Sequence, residues 1–258
     1  MRAARRTLTA ALILGAALPL ALLLVWSFSL RWYYPALLPQ EFSTRAWEAL
    51  LAPSGQVSPA LRGSTWVAGV TALLATLIAL PAARQLARER PLTRAVLGGV
   101  ILAPLVLPAF AGVMGVQVAF IRLGLADTPA GVVAAHLIPA TPYAAVLLTG
   151  TFEVYDARFE EVARTLGARR AQVFTRVTLP LLLPGVLVAA LLAFLVSWSE
   201  YLLTLIVGGG QVSTLPLLLF ASAQGGDYAL TAALSLVYVL PALLIFTLVA
   251  GRLRGWRA

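Results

Sequence analysis

The sequence predicts an all-α, polytopic membrane protein with six transmembrane helices, and three observations carry that prediction. Of its 258 residues, 60% are hydrophobic and only 11% charged, against about 25% charged in soluble domains, and mean hydropathy is +0.91. Six apolar stretches each reach the roughly 20 residues that a helix needs to cross a bilayer. The basic residues collect in alternate loops between those stretches. One continuous transmembrane domain over residues 1–258 is the simplest organisation, because no linker interrupts the succession of apolar runs.

The stretches fall at residues 8–30, 64–86, 95–121, 131–152, 181–207 and 228–250. The first follows Arg2, Arg5 and Arg6, as a signal peptide would. Its run of 23 apolar residues exceeds the roughly 7–15 of a signal core, no small-residue cleavage site follows, and the segment reads as a retained helix. Arg31, Trp32, Tyr33 and Tyr34 then form an aromatic and basic cluster suited to a membrane interface.

All 19 basic residues are Arg. Fifteen lie at the two termini and in the second-to-third and fourth-to-fifth loops; the other loops hold four, Arg31, Arg45, Arg62 and Arg122. The positive-inside rule therefore places both termini in the cytoplasm, an arrangement that needs an even number of crossings. The same rule accounts for the +9 net charge without a nucleic-acid-binding face. The chain has no Cys, which excludes disulfides, thiolate chemistry and Cys-ligated metals. It has no Lys, so it lacks the phosphate-binding loop of an ATPase. No internal repeat stands out of the kind that secondary transporters carry.

Two loops are long. Residues 31–63, on the outer side, hold Trp32, Trp47 and four prolines (Pro35, Pro39, Pro53, Pro59). Residues 153–178, on the cytoplasmic side, carry four acids and five Arg in 26 residues. There, residues 159–166 have good helix formers with Glu160 and Glu161 in the first turn, where the helix dipole favours acids. Gly167 suits the stop and turn after such a helix. A second short helical run over 169–177 is expected to end at Leu179-Pro180, with Pro180 in the first turn of the next helix. The product is a helix–turn–helix knuckle, whose Ala163 and Gly167 are small enough for another protein to approach closely.

This knuckle resembles the EAA loop of permease subunits in binding-protein-dependent ABC importers. Glu161, Ala163, Gly167, Leu179 and Pro180 match that pattern at its spacing, with Val162 and Val177 as departures. Further resemblance lies in Leu80-Pro81-Ala82-Ala83, in His136 with Pro142-Tyr143, in residues 197–201 followed by Thr214-Leu215-Pro216, and in the Tyr34–Pro39 element. The resemblance implies a multi-pass bacterial inner-membrane permease that passes solute inward by alternating access. It implies docking on an ATPase subunit dimer through Glu160, Glu161, Val162, Ala163, Leu166, Gly167, Ala168, Leu179 and Pro180. It further implies a second permease chain, a related subunit rather than a copy, and an extracytoplasmic substrate-binding protein. ATP and Mg belong to the ATPase partner, and this chain is expected to hold no cofactor or metal and to be no enzyme. The likeness is nearer the group that handles polyamines, ferric iron, thiamine or sulfate-type anions than the sugar group.

Glu200, His136 and Tyr143 are the polar residues within the spans that merit attention. Glu200 either lines the passage for a cationic solute or acts as a helix-end acid that contacts water or caps the outer glycine-rich loop. His136, the sole His, either faces the pathway or is a bundle residue satisfied by a neighbouring carbonyl. Pro139 and Pro142 predict a kink beside it. Residues 211–224 form a run too short to span, read as re-entrant, interfacial or a plain outer loop. Two rival classes remain on the same residues: a proton-coupled secondary transporter and an intramembrane enzyme using Glu200 or His136.

Overall fold

The computed structural model describes residues 2–33, 35–52 and 55–255; Tyr34 and Pro53, named above, and Arg257, one of the Arg counted at the C-terminus, lie outside the described residues. In chain order the elements are α1 (Arg2–Ser27), β1 (Ser29–Arg31), β2 (Glu41–Phe42), α2 (Arg45–Leu51), α3 (Val57–Leu86), α4 (Pro91–Val106) and α5 (Ala109–Leu123). There follow α6 (Pro129–Glu153), α7 (Arg158–Thr165), α8 (Arg170–Val173), a π-helical turn (Phe174–Thr178), α9 (Leu179–Trp198), α10 (Leu202–Val207), α11 (Leu215–Gln224) and α12 (Tyr228–Gly255). The helices form two compact units, residues 1–64 with 213–258 and residues 65–212.

In the first unit α1 packs along α12, and α11 and α2 pack on α12 as well. The segment after α1 is ordered by local pairing. β1 and β2 form an antiparallel ribbon with Arg31 opposite Glu41. Ala46 of α2 is buried against Ala229 and Ala233, with Trp47 and Leu50 beside them. Trp47 donates its indole N–H to the Ser27 hydroxyl at 3.1 Å and stacks on Phe28 at 5.7 Å, so the amphipathic ring is anchored at both its polar and apolar ends. α11 starts at a turn where the Leu215 N–H donates to the Ser64 hydroxyl at 2.8 Å. It is 10 residues long, too short to span, and it packs on α12.

The second unit is built on α6 and α9. Its core is a seam of small residues. Ala72, Ala75, Ala79 and Ala83 recur on one face of α3, and they are buried with Ala140, Ala144, Ala145 and Leu148 of α6 and Ala189 and Ala193 of α9. Side chains of this size let helix backbones approach closely where lipid supplies no hydrophobic drive. Gly185 marks the closest approach, since a Cβ there would collide with the Thr151 side chain.

By length and composition Val57–Leu86, Pro129–Glu153 and the continuous run Arg170–Trp198 each qualify as spans, and α4 with α5 makes a fourth if the bent pair is one span. The helices α1 and α12 run for 26 and 28 residues, with apolar parts Ala17–Ser27 and Tyr228–Leu244 among the described residues. Three expectations need correction. The third stretch is not one straight helix: α4 and α5 meet at 93°. Pro108 removes a backbone donor there and holds Leu107 extended at ψ 140°, as a residue before proline prefers. The fifth stretch ends as regular helix at Trp198 and resumes as α10 at Leu202. At its start no break occurs at Leu179-Pro180. The helix runs on from Arg170 through the π-helical turn, where the Leu179 N–H reaches back five residues to the Phe174 carbonyl. A proline ring inside an α-helix clashes with the carbonyl four residues earlier; widening the ladder by one residue ahead of Pro180 relieves that clash.

Candidate functional site

The knuckle over residues 153–178 forms as two short helices around a left-handed glycine. α7 ends at Gly167, whose φ is +85°. The Gly167 N–H donates to the Arg164 carbonyl at 2.9 Å, and the Ala168 N–H to the Ala163 carbonyl at 3.0 Å. These are the paired bonds of a Schellman cap, which satisfies the last carbonyls of a helix and favours Gly at the left-handed position. The next helix opens with the Gln172 side chain accepting the Arg169 N–H at 2.9 Å.

In α7 one carboxylate is turned inward: the Glu160 side chain is 4% exposed, while Arg158, Glu161, Arg164 and Thr165 are exposed. Arg84, near the C-terminal end of α3, gives one guanidinium nitrogen to both Glu160 oxygens at 2.9 and 2.8 Å. Arg164, one turn along α7, donates to the same carboxylate at 3.0 Å, and the buried Thr178 hydroxyl donates to it at 3.0 Å. The Tyr155 hydroxyl in turn donates to Thr178 at 3.4 Å. Burial pushes the Tyr155 phenol above its ordinary value, and the Glu160 charge adds to the rise. At the near end of the loop, Glu153 pairs with Arg94. One carboxylate thus ties α3, α7 and the π-helical turn into a unit.

The opposite face of α7 is apolar and open. Phe159, Val162 and Leu166, spaced three and four residues apart, are 55%, 58% and 82% exposed, on the same side of the helix. Glu161, Gly167 and Pro180 are exposed with them, and Ala163, Ala168 and Leu179 are half-buried. Of the residues expected to form the docking surface, the structure turns Glu160 inward, where its charge is satisfied within the chain. Arg84 and Thr178, its partners, were absent from that expectation. They stand 76 and 18 residues away in sequence, and nothing in either local pattern marks them as partners.

Two of the polar residues within the spans, His136 and Glu200, are linked through Thr204 elsewhere in the same unit. His136 is buried, with Nδ1 2.8 Å from the Ser197 hydroxyl and Nε2 2.9 Å from the Thr204 hydroxyl. Its partners are hydroxyls, not the carbonyl expected for a satisfied histidine. Glu200 is half-buried and accepts the Leu203 N–H at 3.2 Å, capping α10 rather than the glycine-rich loop that follows it. Tyr143 is 41% exposed on α6. No group of three or more metal-ligating side chains occurs among the described residues.

The described helices are largely apolar and carry a short charged knuckle, α7 and α8, between the long helices α6 and α9. Residues 73–254 match the family described as "binding-protein-dependent transport system inner membrane component", and the chain belongs to that family. It is 38% identical over 223 residues to the molybdenum transport system permease protein ModB of Mycobacterium bovis, covering 81% of this chain and 83% of that one. ModB of Azotobacter vinelandii is 31% identical over 186 residues, 66% of this chain and 82% of that one. Among solved structures, a bacterial ABC transporter involved in the import of the acidic polysaccharide alginate has a chain that superposes with a TM-score of 0.74. The match covers 96% of this chain and 94% of that one at 19% identity, a likeness of fold. The family is one of transport permeases, not enzymes, and the protein is a multi-pass component of the inner membrane.

Proposed function

We propose that this chain is the permease subunit of an ATP-driven importer and that α7 is its coupling helix. The observation that carries the proposal is the exposed apolar side of α7, set opposite a Glu160 carboxylate that the chain itself holds. A helix that spends its carboxylate inward and shows Phe159, Val162 and Leu166 outward presents an apolar surface that a partner can bury. Glu161 and the Arg residues of the loop supply a polar rim, and the Arg84–Glu160 tie makes the knuckle stiff enough to pass a push to α3 and α9. The partner is an ATPase subunit dimer that holds ATP and Mg. A second permease chain completes the pathway, a binding protein delivers the solute from outside, and ATP-driven closure switches the bundle between inward- and outward-facing states. The Arg distribution supports six crossings with both termini in the cytoplasm.

For the solute, the names of the relatives support a tetrahedral oxyanion of the molybdate type, one class within the mixed group of polyamines, ferric iron, thiamine and sulfate-type anions that the sequence resembles more than the sugar group. The test is reconstitution of the permease with its ATPase and binding protein. Introducing Val162→Asp with Leu166→Asp charges two exposed positions, so the permease itself is expected to fold. Co-purification of the ATPase subunit and molybdate uptake are both expected to be lost. Normal uptake in the double variant, or uptake driven by a proton gradient without ATP, overturns the proposal. Uptake of a polyamine in place of molybdate overturns the solute assignment alone.

A further inference from the structure

Ser199, Glu200 and Tyr201 interrupt the helical chain between α9 and α10. Their depth follows from α6. His136 lies seven residues after Pro129, the first residue of α6, so about 10 Å along that helix. The Asp127 N–H, just ahead of α6, donates to the Val207 carbonyl at the end of α10 at 2.8 Å. α10 therefore runs beside the first turns of α6, and the interruption lies level with His136, about 10 Å inside the apolar span Pro129–Glu153. Irregular backbone at such depth is tolerated only where protein covers it or where it lines a water-filled cavity.

Each alternative holds for one side of this break. The covered side is closed by an ordered chain of hydrogen bonds. The Thr204 hydroxyl donates to the Glu200 carbonyl at 3.0 Å, so its oxygen is left to accept from His136 Nε2–H at 2.9 Å. In that tautomer Nδ1 carries no proton and accepts from the Ser197 hydroxyl at 2.8 Å. The order Ser197, His136, Thr204, Glu200 carbonyl thus bolts α6 to the last turn of α9 and the first turn of α10, on both sides of the break. The other side is open: Ser199 is exposed, and Glu200 is half-buried and carries a carboxylate. A carboxylate at this depth faces a bundle interior or water, not lipid.

We propose that His136 is a positioning residue that braces the α9–α10 break so that Ser199 lines a water-filled stretch of the solute pathway while the Glu200 carboxylate stays engaged as the cap of α10. The inference rests on the chain being a permease, but two of its three tests need no transport. The chain has a single His and no Cys, so an isotope or a thiol placed there reports on one site.

In the assembled transporter, with only this chain labelled with ¹⁵N-histidine, the imidazole is expected as the neutral Nε2–H tautomer. A Nδ1–H or doubly protonated ring overturns the brace. With Ser199→Cys in the same assembly, a membrane-impermeant thiol reagent is expected to react at least about tenfold faster than with Leu187→Cys, an exposed apolar position on α9. Equal rates overturn the water-lined side. Under uptake, His136→Ala is expected to lower the maximal rate about tenfold, the effect of a lost buried hydrogen bond, with the half-saturating concentration of binding protein unchanged. His136→Gln, whose amide still donates toward Thr204, is expected to restore part of that loss. Unchanged uptake in His136→Ala overturns the positioning role. Failure of the wild-type assembly to use ATP refutes the permease reading and leaves the imidazole and thiol results to judge the brace.

Discussion

The two ends of the α6–α9 pair solve the same problem, a buried polar group, in opposite ways. At the end that meets the knuckle, the Glu160 carboxylate is buried as a charge and held by Arg84, Arg164 and Thr178. Toward the other end, His136 is buried without charge between Ser197 and Thr204. The difference is access to water. Side chains of Arg84 and Arg164 are 33% and 54% exposed, so their charge stays partly solvated and the desolvation cost of the cluster is shared. Inside the bilayer no such relief exists, and a neutral ring with each nitrogen satisfied is the cheaper arrangement. Ionic ties therefore suit the part that reaches water, and neutral ties suit the part that crosses lipid.

The sharpest way to break this comparison is Glu160→Ala. It removes the common acceptor of two Arg residues and orphans the buried Thr178 hydroxyl. A loss of about 2–3 kcal/mol is expected in thermal melts of the purified permease. ATPase co-purification should fall although no outward residue of α7 has changed; normal docking would show that the ionic tie does not orient the knuckle. Thr204→Val comes next. It keeps the side-chain shape, removes the acceptor for His136 Nε2–H and frees the Glu200 carbonyl, and should cost about 1–2 kcal/mol by the same melts. A change below the error of the measurement would mean that the neutral chain contributes nothing to stability.

Gly167→Ala separates backbone strain from packing, because no atom stands within 4 Å of a Cβ built there. Only the left-handed φ is penalised, by about 1 kcal/mol, and uptake should fall modestly. A collapse of the fold would contradict that account. The smallest effect belongs to an exposed charged pair. Arg45 donates to both Asp227 oxygens at 3.0 and 2.7 Å. That bond to Arg45 holds the Asp227 carboxyl below its ordinary value. With the folded value depressed, the pair adds stability at neutral pH, and the contribution is lost as pH falls through the carboxylate range to that lowered value. Because Arg45 is half exposed, Asp227→Asn should cost well under about 1 kcal/mol at pH near 7. The gap to wild type should close once pH falls below that lowered value; a gap that persists there would assign the loss to the cap that Asp227 places on Leu230 and not to the ion pair.

How much of this was legible beforehand differs by element. Apolar length found helix in each of the six stretches, because a bilayer imposes one length on every crossing; three qualify as spans, or four with the bent α4–α5 pair. The knuckle was legible down to its Gly167 turn, since acids, helix formers and glycine act locally. Misreadings fell where a local rule met a tertiary alternative. Pro180 reads as a helix start, yet a π-helical turn absorbs it within a continuous helix. Pro108 reads as part of a span, yet it turns the chain by 93°. Glu160 looked like the neighbour of Glu161 on one docking face, yet adjacent residues lie about 100° apart around a helix, and the one facing inward meets Arg84.

The sequence by itself determined the solvent, the helical class, the proposed orientation and the family-like loop, all of which depend on composition and short-range spacing. Only the tertiary structure decided which polar residues meet. It set Glu160 among Arg84, Arg164 and Thr178, and it threaded His136 between two hydroxyls on either side of a helix break. Those contacts join positions as far as 76 residues apart. They are selected because a buried donor or acceptor must find its complement wherever packing brings one within about 3 Å, and sequence spacing does not encode that distance.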